Sequence, residues 1–161
     1  MSLQTSQPLN PPPNPPLYRR ILLPTDGSEA SQRAILAGVD FAREIGAEMV
    51  GLTATPTFRV LSTDPDMIGD TAEQYAGASR ERGRRLLDDV EAAAREAGVA
   101  CQREQTVSDE PWQAIIDTAR RFGCDLIVMA SHGRRGLSGL LLGSETQKVL
   151  VHSAIPVLVH R

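Results

Sequence analysis

Short apolar runs alternate with longer stretches of helical periodicity, and no other feature of this chain narrows its fold so far. The runs are Ile21-Leu22-Leu23, the segment 48–55 with Met49, Val50 and Leu52, a more polar one at 99–107, Leu126-Ile127-Val128-Met129, and Ile155 to Val159. A short apolar run bounded by turn residues reads as a strand buried on both faces. Between the runs, Ala34, Gly38, Phe41, Ala42 and Ile45 share one helical face. Leu86, Leu87, Val90, Ala93, Ala94 and Ala97 share another, and Trp112, Ile115, Ile116, Ala119 and Phe122 a third. These spacings are those of helices with one buried stripe. A fourth helix is expected from Gly143-Ser144. The order β-α-β-α-β-α-β-α-β implies a mostly parallel sheet with helices on both faces, because parallel neighbours require crossover connections.

Local signals agree with that order. Ser28 is placed to cap the first helix, and Gly46, Gly98 and Gly123 to end three of them. Ser108-Asp109-Glu110-Pro111 predicts a helix entry with capping side chains, early negative charge and proline in the first turn. The polar run 99–107 suits a sheet edge, and Pro156 within the last run points to an edge or a strand start. Pro56 to Asp70 has no period and reads as a long surface loop. Asp64, Asp66 and Asp70 have no metal-ligand spacing and are expected to solvate it. Met1 to Leu17 holds six prolines and is expected to be a disordered or polyproline tail, leaving 18–161 as the domain.

Composition excludes several classes. A formal net charge of −3 argues against broad nucleic-acid binding, which needs a basic stripe. No apolar run approaches the ~18 residues of a membrane span. Two cysteines, Cys101 and Cys124, are too few for a disulfide framework and lack metal spacing. With no basic-then-apolar leader pattern, a cytoplasmic setting is expected.

In parallel sheets ligands bind beyond the carboxyl ends of strands, where the strand order reverses. That rule directs attention to Pro24-Thr25-Asp26 and to Ala130-Ser131-His132-Gly133. From Gly133 to Ser144 the chain is glycine-rich, follows a buried strand and opens a helix. Glycines allow close backbone approach, and the N–H groups of a helix start favour an anion such as phosphate. Ser144 adds a hydroxyl, and Arg134 and Arg135 are within reach of a phosphate or simply face solvent. There is no Walker lysine before Ser144 and no G-x-G-x-x-G. On the local sequence alone, a phosphate cradle and a plain glycine loop are about equally supported.

From Tyr18 to Arg161 the chain resembles the universal stress protein family. The resemblance rests on Pro24-Thr25-Asp26-Gly27-Ser28, on 129–136 followed by Leu141-Leu142-Gly143-Ser144, and on Pro156-Val157-Leu158-Val159. It implies a three-layer α/β/α sandwich of the adenine-nucleotide α-hydrolase type, with a five-stranded parallel sheet in order 3-2-1-4-5. It also implies a homodimer through the final strand, Ile155 to Val159. Nucleotide-binding members carry G-x2-G-x9-G-[ST], whose register here is Ala130, Gly133, Gly143 and Ser144, with alanine in place of the first glycine. By resemblance ATP or AMP is the ligand, with Mg²⁺ as a candidate companion. Asp26, beside Pro24 and Thr25, and the backbone of Thr53 and Ala54 would face the base. Gly133, Gly143, Ser144 and the adjoining Glu145 would face phosphate, with His132, Arg134 and Thr146 also among the binding residues.

Each of these residues also has a plainer reading. Asp26 suits a turn, His132 a loop contact, Glu145 the first turn of a helix and Trp112 core packing. No G-x-S-x-G elbow, H-E-x-x-H helix or Cys–His arrangement is present, so a dedicated enzyme is not expected, with slow ATP hydrolysis at most. The alternatives are a member that no longer binds nucleotide and serves as an interaction module, suggested by Ala130, and an adenine-nucleotide α-hydrolase enzyme, which the lack of a catalytic set opposes.

Overall fold

The computed structural model describes residues 16–59, 71–133 and 142–161. Most of the predicted tail, the predicted loop from residue 60 to Asp70, and residues 134–141, including Arg134 and Arg135, lie outside the described residues. The elements are β1 (Arg20–Pro24), α1 (Glu29–Ile45), β2 (Glu48–Thr55), α2 (Ala72–Glu96), β3 (Cys101–Val107), α3 (Pro111–Arg121), β4 (Leu126–Ala130), α4 (Ser144–His152) and β5 (Val157–His160). All strand pairs are parallel, and the sheet order is β3-β2-β1-β4-β5.

Strand alternation divides the core into two layers. Ile21, Leu23, Met49 and Val128 pack with Ile35, Val39 and Ala42 of α1 and Val90 and Ala94 of α2. Their neighbours Leu22, Val50, Leu52, Ile127 and Met129 pack on the opposite face with Ile115 and Ala119 of α3 and Val149 of α4. This gives the expected three-layer sandwich, and it explains why the central strands read as continuous apolar runs rather than alternating ones. The polar run 101–107 is at the edge, as its composition predicts.

The helix ends follow the sequence signals with one exception. Ser28 caps α1 by accepting the Ser31 N–H, and Gly46, Gly98 and Gly123 all take up positive φ. Thr71 and Gln74 form a reciprocal capping box on α2. Its buried stripe runs further than the apolar pattern shows, through Tyr75, Ser79 and Gly83 to Leu87, Val90 and Ala94, with Leu86, Ala93 and Ala97 half-buried beside it. Ser79 and Gly83 are buried because Gln105 of β3 lies over them and donates to the Ser79 carbonyl at 3.0 Å.

The exception is α3. Pro111 opens it as expected, but neither Ser108, Asp109 nor Glu110 caps it, and its first turn holds no acidic residue. The Ser108 hydroxyl accepts the Glu110 N–H, and Asp109 is turned towards Thr57. The last strand also starts later than predicted. Pro156 precedes it and uses its carbonyl to accept the Ile127 N–H at 2.9 Å. Among the described residues no helix is long and apolar enough to cross a membrane.

Candidate functional site

The sheet opens where its order reverses. The β1–β4 ladder pairs Ile21 with Leu126 and Leu22 with Ile127. Beyond it β1 continues against β2, up to Pro24 beside Leu52, while β4 continues against β5, up to Ala130 beside His160. The two carboxyl ends therefore diverge, and a cleft of about 360 Å³ lies between them. That volume falls within the range of small-molecule sites.

One wall is the turn after β1. Thr25 is buried; its N–H donates to the Leu52 carbonyl, and its hydroxyl contacts Ser31 and accepts the Gly27 N–H. Asp26 accepts the Ser28 N–H on Oδ1 at 3.0 Å, so the plainer turn role is realised. Its other oxygen faces Gly133 across the cleft: a Cβ at Gly133 would stand 2.5 Å from Asp26 Oδ2. A side chain at 133 would require the Asp26 carboxylate to shift.

The opposite wall is the end of β4 and the start of α4. The Gly143 N–H donates to the Ser131 carbonyl at 2.8 Å, and the buried Thr146 hydroxyl donates to the Ala130 carbonyl at 3.1 Å. A Cβ on Gly143 would come within 3.1 Å of the His132 Cα. These contacts seat α4 with its N-terminus on the cleft. Its cap is Gly143, which has no side chain to satisfy the first-turn N–H groups. His132 bonds Ser131 through Nδ1 at 3.0 Å, the loop contact expected of it, and also lines the cleft.

Of the predicted residues, Pro24, Thr25, Asp26, Ala54, Ala130, His132, Gly133, Gly143, Ser144, Glu145 and Thr146 all border this one cleft. Thr53 is buried in the sheet and does not line it. Ala130 has a further contact. Its methyl clusters with Ala30 and Ala34 of α1, and the residue is 7% exposed.

Two contacts of the lining escape the sequence reading, although Glu145 itself is among the predicted residues. Asp109, at the carboxyl end of β3, accepts the Thr57 hydroxyl at 2.7 Å and the Thr57 N–H at 3.0 Å, and pairs with Arg59 at 3.1 Å. The Thr57 hydrogen bonds, aided by Arg59, hold its carboxyl below the usual range. Asp109 thus straps the segment after β2 to the entry of α3, and Pro56, Ser108 and Pro111 join the lining there. The signal was the position of Asp109 at another strand end on the same edge of the sheet. The second is made by Glu145. Its Oε2 accepts the Trp112 N–H at 2.9 Å and its Oε1 accepts from Lys148 at 3.1 Å. The missing cap of α3 is therefore supplied by α4. Trp112 itself packs as expected, against the α3–α4 core and at 4.8 Å from the His152 ring. Among the described residues no group of three or more His, Cys, Asp or Glu is placed to hold a metal ion.

The profile of the universal stress protein family matches residues 17–161, nearly the whole chain. The chain belongs to the universal stress protein family. Universal stress protein MJ0531 of Methanocaldococcus jannaschii is 31% identical over 143 residues, covering 89% of this chain and 82% of that protein. Among solved structures, MJ0577 superposes with a TM-score of 0.74 at 26% identity, covering 88% of this chain and 94% of that one. A universal stress protein crystallised in complex with cAMP superposes with a TM-score of 0.66 at 25% identity, covering 89% and 97%. The family role in stress response thus extends to this chain, and the cleft at the switch point is where the predicted residues of this universal stress protein come together.

Proposed function

We propose that this universal stress protein binds an adenine nucleotide in the cleft between β1 and β4 and acts as a stress-response or signalling module. The observation that carries the reading is the start of α4. A helix N-terminus capped by Gly143, packed closely on the His132 backbone, and Gly133, set against the Asp26 carboxylate, border a pocket of small-molecule size. Such a terminus favours phosphate through its free N–H groups and its dipole. In this reading the phosphates rest on Gly133, Gly143 and Ser144, while Asp26 and Ala54 face the base. The solved relative that holds cAMP supports an adenine nucleotide as the ligand class. ATP and AMP are both candidates. A companion Mg²⁺ would take its oxygens from the phosphates and water.

The second reading is a family member without nucleotide binding, and it rests on Ala130 standing where binding members have glycine. The packing of Ala130 weakens it, because the methyl is accommodated by Ala30 and Ala34. A dimer through the final strand belongs to the same proposal. β5 is an edge strand with Leu158 40% exposed, and the neighbouring α4 carries Val151 at 75% exposed. Pairing two β5 edges would cover both.

Mass spectrometry of the purified protein for carried-through nucleotide, followed by calorimetric titration with AMP and ATP, tests the ligand. No heat and no thermal shift at millimolar nucleotide would refute it. Sedimentation as a monomer at micromolar concentration would refute the dimer.

A further inference from the structure

We infer that Glu145 selects the ligand by phosphate charge, favouring an adenine mononucleotide over the triphosphate; the inference rests on the nucleotide reading of the cleft. Glu145 borders the cleft immediately after Gly143 and Ser144, and its carboxylate is fixed against the first turn of α3, whose Pro111 also lines the cleft. A carboxylate in that position is harmless if it can turn away. This one is held from two sides, by the Trp112 N–H on Oε2 and by Lys148 on Oε1. Releasing it would leave the first turn of α3 without its acceptor, since no side chain of α3's own entry caps that helix.

Among the described lining residues there is no lysine or arginine, and Asp109 on the far side has its arginine, Arg59, already engaged. A single phosphate can be met by the N–H groups of the α4 start. Each phosphate added must be placed around the terminus that Glu145 already occupies. The triphosphate brings roughly two more negative charges to that terminus than the monophosphate, and like charges at such separations weaken binding by about tenfold. Glu145 is therefore a specificity-determining residue, fixed by α3, at the point where the ligand's phosphate chain would lengthen.

The test is calorimetric titration of wild-type protein, Glu145→Gln and Lys148→Met with AMP and with ATP, each in EDTA and in excess Mg²⁺. Glutamine can still accept the Trp112 N–H, so Glu145→Gln removes the charge and leaves the α3 cap. In EDTA, wild-type protein is expected to prefer AMP by about tenfold or more. Glu145→Gln should close most of that gap by a gain in ATP affinity. Lys148→Met should widen it, because the carboxylate loses its neutralising neighbour. A ratio unchanged by both substitutions overturns the inference, as does equal wild-type affinity for the two nucleotides. A loss of ATP affinity in Glu145→Gln confined to the Mg²⁺ titrations would make Glu145 a cation ligand and also overturn it. Absence of binding by either nucleotide to all three proteins would instead refute the nucleotide reading, and the selection with it.

Discussion

Replacing Ala130 with glycine separates two accounts of the one position where the phosphate motif departs from its pattern. If the methyl projects into the ligand's space, its removal should restore a weakened site. If it packs against α1, its removal should leave the ligand indifferent and loosen the fold. The methyl clusters with Ala30 and Ala34, the residue is 7% exposed, and no non-glycine residue among those described has positive φ. Glycine is thus not required at 130 for backbone conformation. Deleting a buried methyl costs about 0.8 kcal/mol, and glycine within a strand a further 0.5–1 kcal/mol or so. Ala130→Gly should therefore lower unfolding stability by about 1–2 kcal/mol, seen as a shift in urea midpoint without a change in slope. AMP affinity measured by calorimetry should change by less than about threefold. A gain of more than about tenfold, with stability unaltered, would refute the packing account and show that alanine obstructs the site.

Further outcomes follow from other contacts. Gly133→Ala places a Cβ 2.5 Å from Asp26 Oδ2, so Asp26 must move. Nucleotide affinity should fall at least about tenfold while the melting temperature stays nearly constant, and unaltered affinity would remove Asp26 and Gly133 from the site. Cys124 is buried, and burial pushes its thiol up to about 11. Its protonated form is favoured by folding, so its contribution is intact below the thiol's unfolded value near ~8.5 and is lost as pH rises towards the folded one. Cys124→Ala should flatten the decline of urea midpoints over that alkaline window, and an identical decline in both proteins would sink the assignment. Trp112 is the sole tryptophan, its backbone N–H donates to Glu145 and its ring lies 4.8 Å from that of His152. Saturating nucleotide should alter its emission, and silence at full occupancy would separate α3 from the cleft.

The alternation of apolar runs and helical stripes was enough to read the topology, because the strands at the centre are buried on both faces. Leu126 to Ala130 is buried at every residue, so its sequence carries no polar alternation to mislead. What escaped the reading was polar and long-range. Ser79 and Gly83 do not look like core positions until Gln105 is laid across them. Asp109 looks like a cap for α3, yet its carboxylate is better satisfied by Thr57 and Arg59 on a different loop. The true acceptor, Glu145, lies 33 residues away in sequence and no local pattern reaches that far.

The same limit explains how the site was read. Strand ends and glycine spacing located Asp26, Gly133 and Gly143, because backbone geometry is written locally. The roles of Ala130 and Glu145 depend on which neighbouring helix each side chain meets, and that is a property of the assembled layers. It also bears on signalling. α4 has Glu145 and Thr146 in the cleft and the exposed Val151 at its other end, near β5. Its start is held by the Gly143 and Thr146 bonds to the end of β4, each worth about 1 kcal/mol. A ligand can influence how two copies meet only if it binds one arrangement of α4 more tightly than another. With its first turn tied to β4 and to α3, α4 can pass on a ligand's effect only through those contacts. Under the proposed reading, phosphate charge beside Glu145 would therefore be the ligand property that bears most directly on α4.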